Sequence, residues 1–295
     1  MKTLGPQWRW LGGLLAVACL GAFVWQFSEG LNDMPGQARR MGFGPFSVAV
    51  AGFAAGGFAV FLAYARLAAA MGIPRVPLAV LGHVYFVGQL LKYLPGRVWG
   101  FAFQIARASD LAPPSRWAAL LMVHFAAAVA ALVAVAAAIE ATTGHRGLPW
   151  SVAAVGLSFG ATAVIAFEWP GFRQRLPFRA AIVVSALLHL GALLQALALV
   201  PLARSLAPEE DFIGAVREGG HYLLAWLAGY LAVITPAGLG VREGAFAALS
   251  DGLSPAALLT LAAAARLAMM LADLCLGLAF LRYPGASKTG EPPAA

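Results

Sequence analysis

The sequence predicts an all-α polytopic membrane protein, and three observations predict it. Of 295 residues, 61% are hydrophobic and only 11% charged, with a mean hydropathy of +0.80, so polar groups are too few to cover a soluble surface. Apolar runs recur at lengths able to cross about 30 Å of hydrocarbon at about 1.5 Å per residue. Two of these runs are broken by Pro and Gly, which remove a backbone donor and loosen the chain.

Six runs read as ordinary spans: Trp10 to Phe27, Phe46 to Ala70, Trp117 to Ile139, Ser151 to Glu168, Arg179 to Ala203 and Pro255 to Leu281. The first follows Lys2 and Arg9, and Ala16-Val17-Ala18-Cys19 imitates a lipoprotein cleavage site. Its apolar character continues to Phe27, which favours a retained span over a signal peptide. Two further stretches are irregular. Leu78 to Leu94 is halted at Pro95-Gly96 and followed by the short piece Arg97 to Ala106; Gly219 to Ile234 is halted by TPAGLG at Thr235 to Gly240 and followed by Gly244 to Leu249. Irregular backbone at membrane depth is tolerated only where protein or a water-filled cavity surrounds it. Each stretch is therefore expected to be a re-entrant hairpin, giving about six full spans plus two hairpins.

Charge placement orients this arrangement. With the N-terminus inside, Lys2, Arg9, Arg66, Arg75, Arg107, Arg116, Arg173, Arg175, Arg179, Arg282 and Lys288 lie inside, whereas Arg39, Arg40, Arg146, Arg204 and Arg217 lie outside with the acidic Glu209, Glu210 and Asp211. The bias satisfies the positive-inside rule and places the chain in the cell (inner) membrane with a cytoplasmic N-terminus. Each half reads as two spans, a broken hairpin and one span, and Pro95 aligns with Pro236 at an offset of 141 residues. Three crossings per half would invert one half relative to the other, as in transporters whose broken helices meet at the binding site. The expected organisation is a single transmembrane domain over 1–283, with half-repeats of about 1–145 and 146–283, and a disordered Pro- and Gly-rich tail over 284–295.

Ionisable groups at membrane depth cost about 2.5 to 3.5 kcal/mol each on insertion scales, which marks them as functional candidates. Lys92 is the foremost, because the other two lysines, Lys2 and Lys288, lie near the termini. Its ammonium suits an anionic oxygen, and Arg97 beyond the break offers a planar fork suited to phosphate. Gln89 shares a helical face with Lys92, and Tyr93, Pro95 and Gly96 complete the first segment. In the second half, Thr235, Pro236, Gly238 and Gly240 form a turn whose N–H groups suit an anion, and Arg242 and Glu243 open a short helix. Glu243 either caps that helix, pairs with Arg242 or meets a ligand. Arg266 and Asp273 are seven residues apart on one face of the last span, too far to pair within it; Arg266 is expected to find Glu243. The scattered His124, His189 and His221 read as hydrogen-bonded packing histidines rather than a proton relay. Gly52 with Gly56, and Gly156 with Gly160, have the spacing of close helix packing.

No HExxH, GxSxG, P-loop, CxxC or D-x-D pattern occurs, so no enzyme and no cofactor is expected. Cys19 and Cys275 lie far apart in apolar runs, which excludes a disulfide framework. Basic residues beside a bilayer account for the charge of +7, and nucleic acid is not expected as a partner.

The tracts GQLLKYLPGRVWGFAFQIAR and TPAGLGVREGAF resemble, in order and separation, the two signature segments of the lysylphosphatidylglycerol synthase transmembrane region family, the flippase-like or UPF0104 family. The family motif reads Pro-Gly-Gly-Leu-Gly followed by Arg-Glu; here Ala237 replaces the first glycine, while Gly238, Gly240, Arg242 and Glu243 match. The resemblance implies a stand-alone member without the aminoacyltransferase domain, so lipid movement between leaflets carries over and lipid aminoacylation does not. The expected activity is binding or translocation of an anionic lipid, either a phospholipid or a polyprenyl-phosphate-linked lipid. The alternative is a non-transporting accessory subunit whose partner is a lipid- or glycan-modifying enzyme.

Overall fold

The computed structural model describes residues 28–73, 76–93, 99–109, 111–143, 177–232, 238, 240–250 and 252–281. Every regular element among them is helical: α1 (Ser28–Met41), α2 (Phe43–Ala70), α3 (Leu78–Leu90), a 3₁₀ turn (Leu91–Tyr93), α4 (Trp99–Ala108), α5 (Pro114–Thr143), α6 (Phe178–Ala198), α7 (Val200–Leu206), α8 (Phe212–Leu231), α9 (Val241–Leu249) and α10 (Pro255–Leu281). Among the described residues, four helical stretches are long and apolar enough to cross a membrane: Phe43–Ala70, Pro114–Thr143, Phe178–Leu206 and Pro255–Leu281. These coincide with four of the six expected spans; Trp10 to Phe27 and Ser151 to Glu168 lie outside the described residues.

The helix bounds differ from the sequence reading where local chemistry intervenes. α8 begins at Phe212 rather than near Gly219, because Asp211 caps it, its Oδ1 accepting from the Gly214 N–H at 2.7 Å. Capping of this kind satisfies one of the orphan donors of a helix start. At the other end of the first irregular stretch, the α-helix gives way to a 3₁₀ turn at Leu91, ahead of Pro95. A helix tightens in this way where its last carbonyls lack α-helical partners. α1 occupies a stretch to which the sequence reading assigned no element.

Small residues set a close crossing of α2 and α6. A Cβ at Gly56 would lie 2.9 Å from the Gly191 carbonyl oxygen, and one at Gly52 would lie 2.8 Å from Ala198 Cβ, so α2 and α6 approach nearly backbone to backbone. This is the close packing that the Gly52 and Gly56 spacing predicts, and it replaces the hydrophobic drive that is missing between helices in lipid. α10 packs against α1, α2, α3 and α9. Near its C-terminal end an aromatic layer of Phe61, Phe86 and Phe280 forms, with centroids 4.9 to 5.8 Å apart, and His83 Nδ1 lies 3.1 Å from the Phe280 carbonyl oxygen.

Two hairpin-like pairs, α3 with α4 and α8 with α9, lean on this frame, and each has a glycine at its crossing. In the first, a Cβ at Gly100 would fall 2.5 Å from the Gly88 oxygen; in the second, one at Gly238 would fall 2.5 Å from the Gly229 oxygen. Gly238 also has φ of 73°, a left-handed conformation that disfavours any side chain. Gly88 and Gly229 stand 141 residues apart, the offset of Pro95 and Pro236.

Candidate functional site

The end of α3 and the 3₁₀ turn carry Gln89 and Lys92 to the rim of a cavity of about 160 Å³ enclosed by α2, α3, α4, α5, α6, α8 and α10. At about 10 to 15 Å³ per water on this measure, the space holds on the order of ten waters. That is room for a small polar group and not for long hydrocarbon chains. Contact between Gly88 and Gln104, whose Cγ would lie 2.7 Å from a Gly88 Cβ, seats the Gln104 amide in the wall. Gln195 from α6 and His124 from α5 add further polar groups, and aromatic residues supply much of the rest.

Lys92 Nζ lies 2.7 Å from Asp273 Oδ2. Asp273 is the partner that the sequence reading left unassigned, and it neutralises the cation proposed there to hold an anion. The pair is mostly shielded, with side chains 21% and 15% exposed, so its attraction is screened less than that of a surface pair. An incoming phosphate could take the ammonium only by competing with the carboxylate.

The second pair on α10 sits two turns earlier. Arg266 Nη1 is 3.3 Å from Glu243 Oε1, the pairing expected from the sequence, while Glu243 Oε2 accepts from the Gly240 N–H at 2.8 Å. Glu243 thus both caps α9 and binds Arg266. Arg242, by contrast, turns into the α8–α9 crossing: it is buried, and its Nε would lie 3.3 Å from a Cβ at Gly229. Neither Arg242 nor Arg266 lines the cavity.

Of the sequence-predicted site, the structure therefore brings Gln89 and Lys92 to one cavity, and puts Gly238, Gly240, Arg242, Glu243 and Arg266 at a second locus around the start of α9. Tyr93 ends the 3₁₀ turn. Pro95, Gly96, Arg97, Thr235 and Pro236 lie outside the described residues.

Three cavity residues escaped sequence reasoning. Gln104 and Gln195 are neutral and sit in apolar helices without a local pattern. His124 read as a packing histidine, yet it lines the cavity; it is 7% exposed, and its Nδ1 has no hydrogen-bond partner among the described residues. The polar spacing along the chain held no signal for any of them, because they converge from α4, α5 and α6.

His221 has a hydrogen-bond partner in a carboxylate. Its Nε2 is 3.3 Å from Glu140 Oε2 and its Nδ1 is 3.7 Å from Glu218 Oε2, so two carboxylates flank it. Glu218 is fully buried. Close by, Glu210 and Glu218 both approach Gly252, their Oε1 atoms 2.9 and 4.0 Å from where its Cβ would be. Burial first, and then the charge of Glu218, push the Glu210 carboxyl above its ordinary pKa; Asp211 and Glu209 act in the same direction and Arg217 against it.

Among the described residues, no group of three or more His, Cys, Asp and Glu is placed to hold a metal ion. Comparison with protein families, with curated proteins and with solved structures finds no match for this chain.

Proposed function

We propose that this protein is a flippase-like membrane protein of the lysylphosphatidylglycerol synthase transmembrane region type, which binds an anionic lipid and moves it between leaflets of the inner membrane. The observation that carries the reading is the Lys92–Asp273 ion pair in the wall of a headgroup-sized cavity, framed by helices apolar enough to span a bilayer. Ionisable groups among membrane-spanning helices are rare and are functional-site candidates by default.

In this reading the α3–α4 and α8–α9 pairs are re-entrant hairpins within a six-span, inverted-repeat frame, and the shared 141-residue spacing of Gly88 with Gly229 supports it. Inverted repeats put binding sites where their broken helices meet. The phosphate of the lipid exchanges with Asp273 for Lys92, while the hydrocarbon chains remain in the bilayer. Release of Asp273 loosens α10 from the first hairpin, while its other charged residue, Arg266, still holds the second.

The test is movement of labelled phosphatidylglycerol across vesicles reconstituted with the purified chain. Wild type should exceed protein-free vesicles, and Lys92→Ala should reduce the rate at least tenfold. A wild-type rate equal to that of empty vesicles, across several anionic lipids, would overturn the proposal.

A further inference from the structure

The residues around Lys92 narrow the headgroup class. In the Lys92–Asp273 pair the two charges offset each other, and the other polar side chains lining the cavity are amides, His124 and aromatic residues with a polar edge. Gln104 is only 3% exposed, and its Oε1 accepts no hydrogen bond from the described residues; His124 Nδ1 is likewise unpartnered. Buried polar atoms are almost always satisfied, so two left over in one cavity wall point to a ligand that bonds with them. An amide oxygen can only accept, which calls for a hydroxyl or amine donor.

The aromatic wall discriminates between those donors. Trp226 and Tyr230, one turn apart on α8, are stacked with centroids 5.2 Å apart and planes 24° from parallel, and both line the cavity. Stacked on each other, they cover one face of each ring and leave an outer face of the stack for a ligand, which is not a cage around a cation. A ring bearing hydroxyls fits both the amides and the aromatic stack, because its C–H face lies on the negative face of an aromatic ring while its hydroxyls both donate to and accept from glutamine amides.

We infer that the headgroup taken by this cavity is a hydroxyl-rich ring attached to phosphate, of the glycosyl or cyclitol phosphate class, with Gln104, Gln195 and His124 bonding the hydroxyls and Trp226 with Tyr230 packing the ring face. This rests on the anionic-lipid reading, since the phosphate is what engages Lys92.

Binding of the full chain, purified in a detergent without a sugar headgroup, distinguishes the two. The probes are phosphatidylinositol against phosphatidic acid of the same acyl chains, and a short prenyl glucosyl phosphate against the bare prenyl phosphate. At least one ring-bearing lipid should bind about tenfold more tightly than its ringless counterpart, a difference that a few well-placed hydrogen bonds and one stacked face can supply. Gln104→Leu and Gln195→Leu, near-isosteric changes, should each shrink that ratio at least threefold. Equal affinity within both pairs overturns the ring assignment while the anionic-lipid reading stands. Absence of binding by all four probes overturns both.

Discussion

Asp273 Oδ2 sits 2.7 Å from Lys92 Nζ, and Arg266, seven residues earlier on the same helix, holds Glu243. Two turns of α10, about 10.5 Å of rise, thus join Lys92 and Glu243, which lie 151 positions apart in sequence. One helix fastens both irregular regions.

Removing one partner of the first pair should cost more than removing both. Lys92→Met leaves a largely shielded carboxylate without its cation, a change worth about 3 kcal/mol in buried pairs. Lys92→Met combined with Asp273→Leu should recover most of that loss. Thermal unfolding of the purified single and double variants measures the coupling; strictly additive losses would show that the pair contributes nothing.

Glu243 has two jobs, and substitutions separate them. Glu243→Gln keeps an oxygen for the Gly240 N–H but loses the charge that binds Arg266, whereas Glu243→Ala loses both. The alanine variant should be less stable than the glutamine variant by about 1 kcal/mol, the usual worth of a helix cap. Equal destabilisation in thermal unfolding would mean that the cap is inert.

Glycine positions near the second crossing should differ sharply. Gly238→Ala puts a Cβ 2.5 Å from the Gly229 oxygen in a left-handed conformation, so the folded yield should collapse. Gly244, in α9, has nothing within 4 Å of its Cβ direction. Gly244→Ala should be neutral or stabilise by about 0.5 to 1 kcal/mol through helix propensity. Monodisperse yield on size exclusion, together with the unfolding midpoint, reads both.

Glu210 predicts a pH dependence. Its folded pKa is raised, so it binds a proton more tightly folded than unfolded; that contribution is full below the ordinary carboxyl pKa of about 4.3 and is lost as pH rises through the raised value. Glu210→Gln should therefore flatten the fall in stability above the ordinary carboxyl range. An unchanged slope in unfolding midpoint against pH would remove Glu210 from the account.

Much of the helical frame is readable along the chain, because lipid demands uninterrupted apolar runs and the described long helices carry them. The bounds were less legible. α8 starts seven residues ahead of its apolar stretch, since the Asp211 cap rather than hydropathy sets its first turn. In the candidate site, Lys92 and Glu243 stood out as charges in apolar surroundings, and the Arg266–Glu243 pairing followed from the need of each for a partner. Gln104 and Gln195 did not stand out, because an amide in an apolar helix gains meaning only from what faces it.

Composition and run length alone were enough to expect helices long and apolar enough to cross a membrane, since these depend on local hydropathy along the chain. Tertiary packing settled which charges meet and which neutral groups share a cavity. Asp273 neutralises Lys92, and Gln104, Gln195 and His124 converge from three separate helices, because glycine crossings at Gly56 and Gly88 let those helices come close enough for their side chains to line one space.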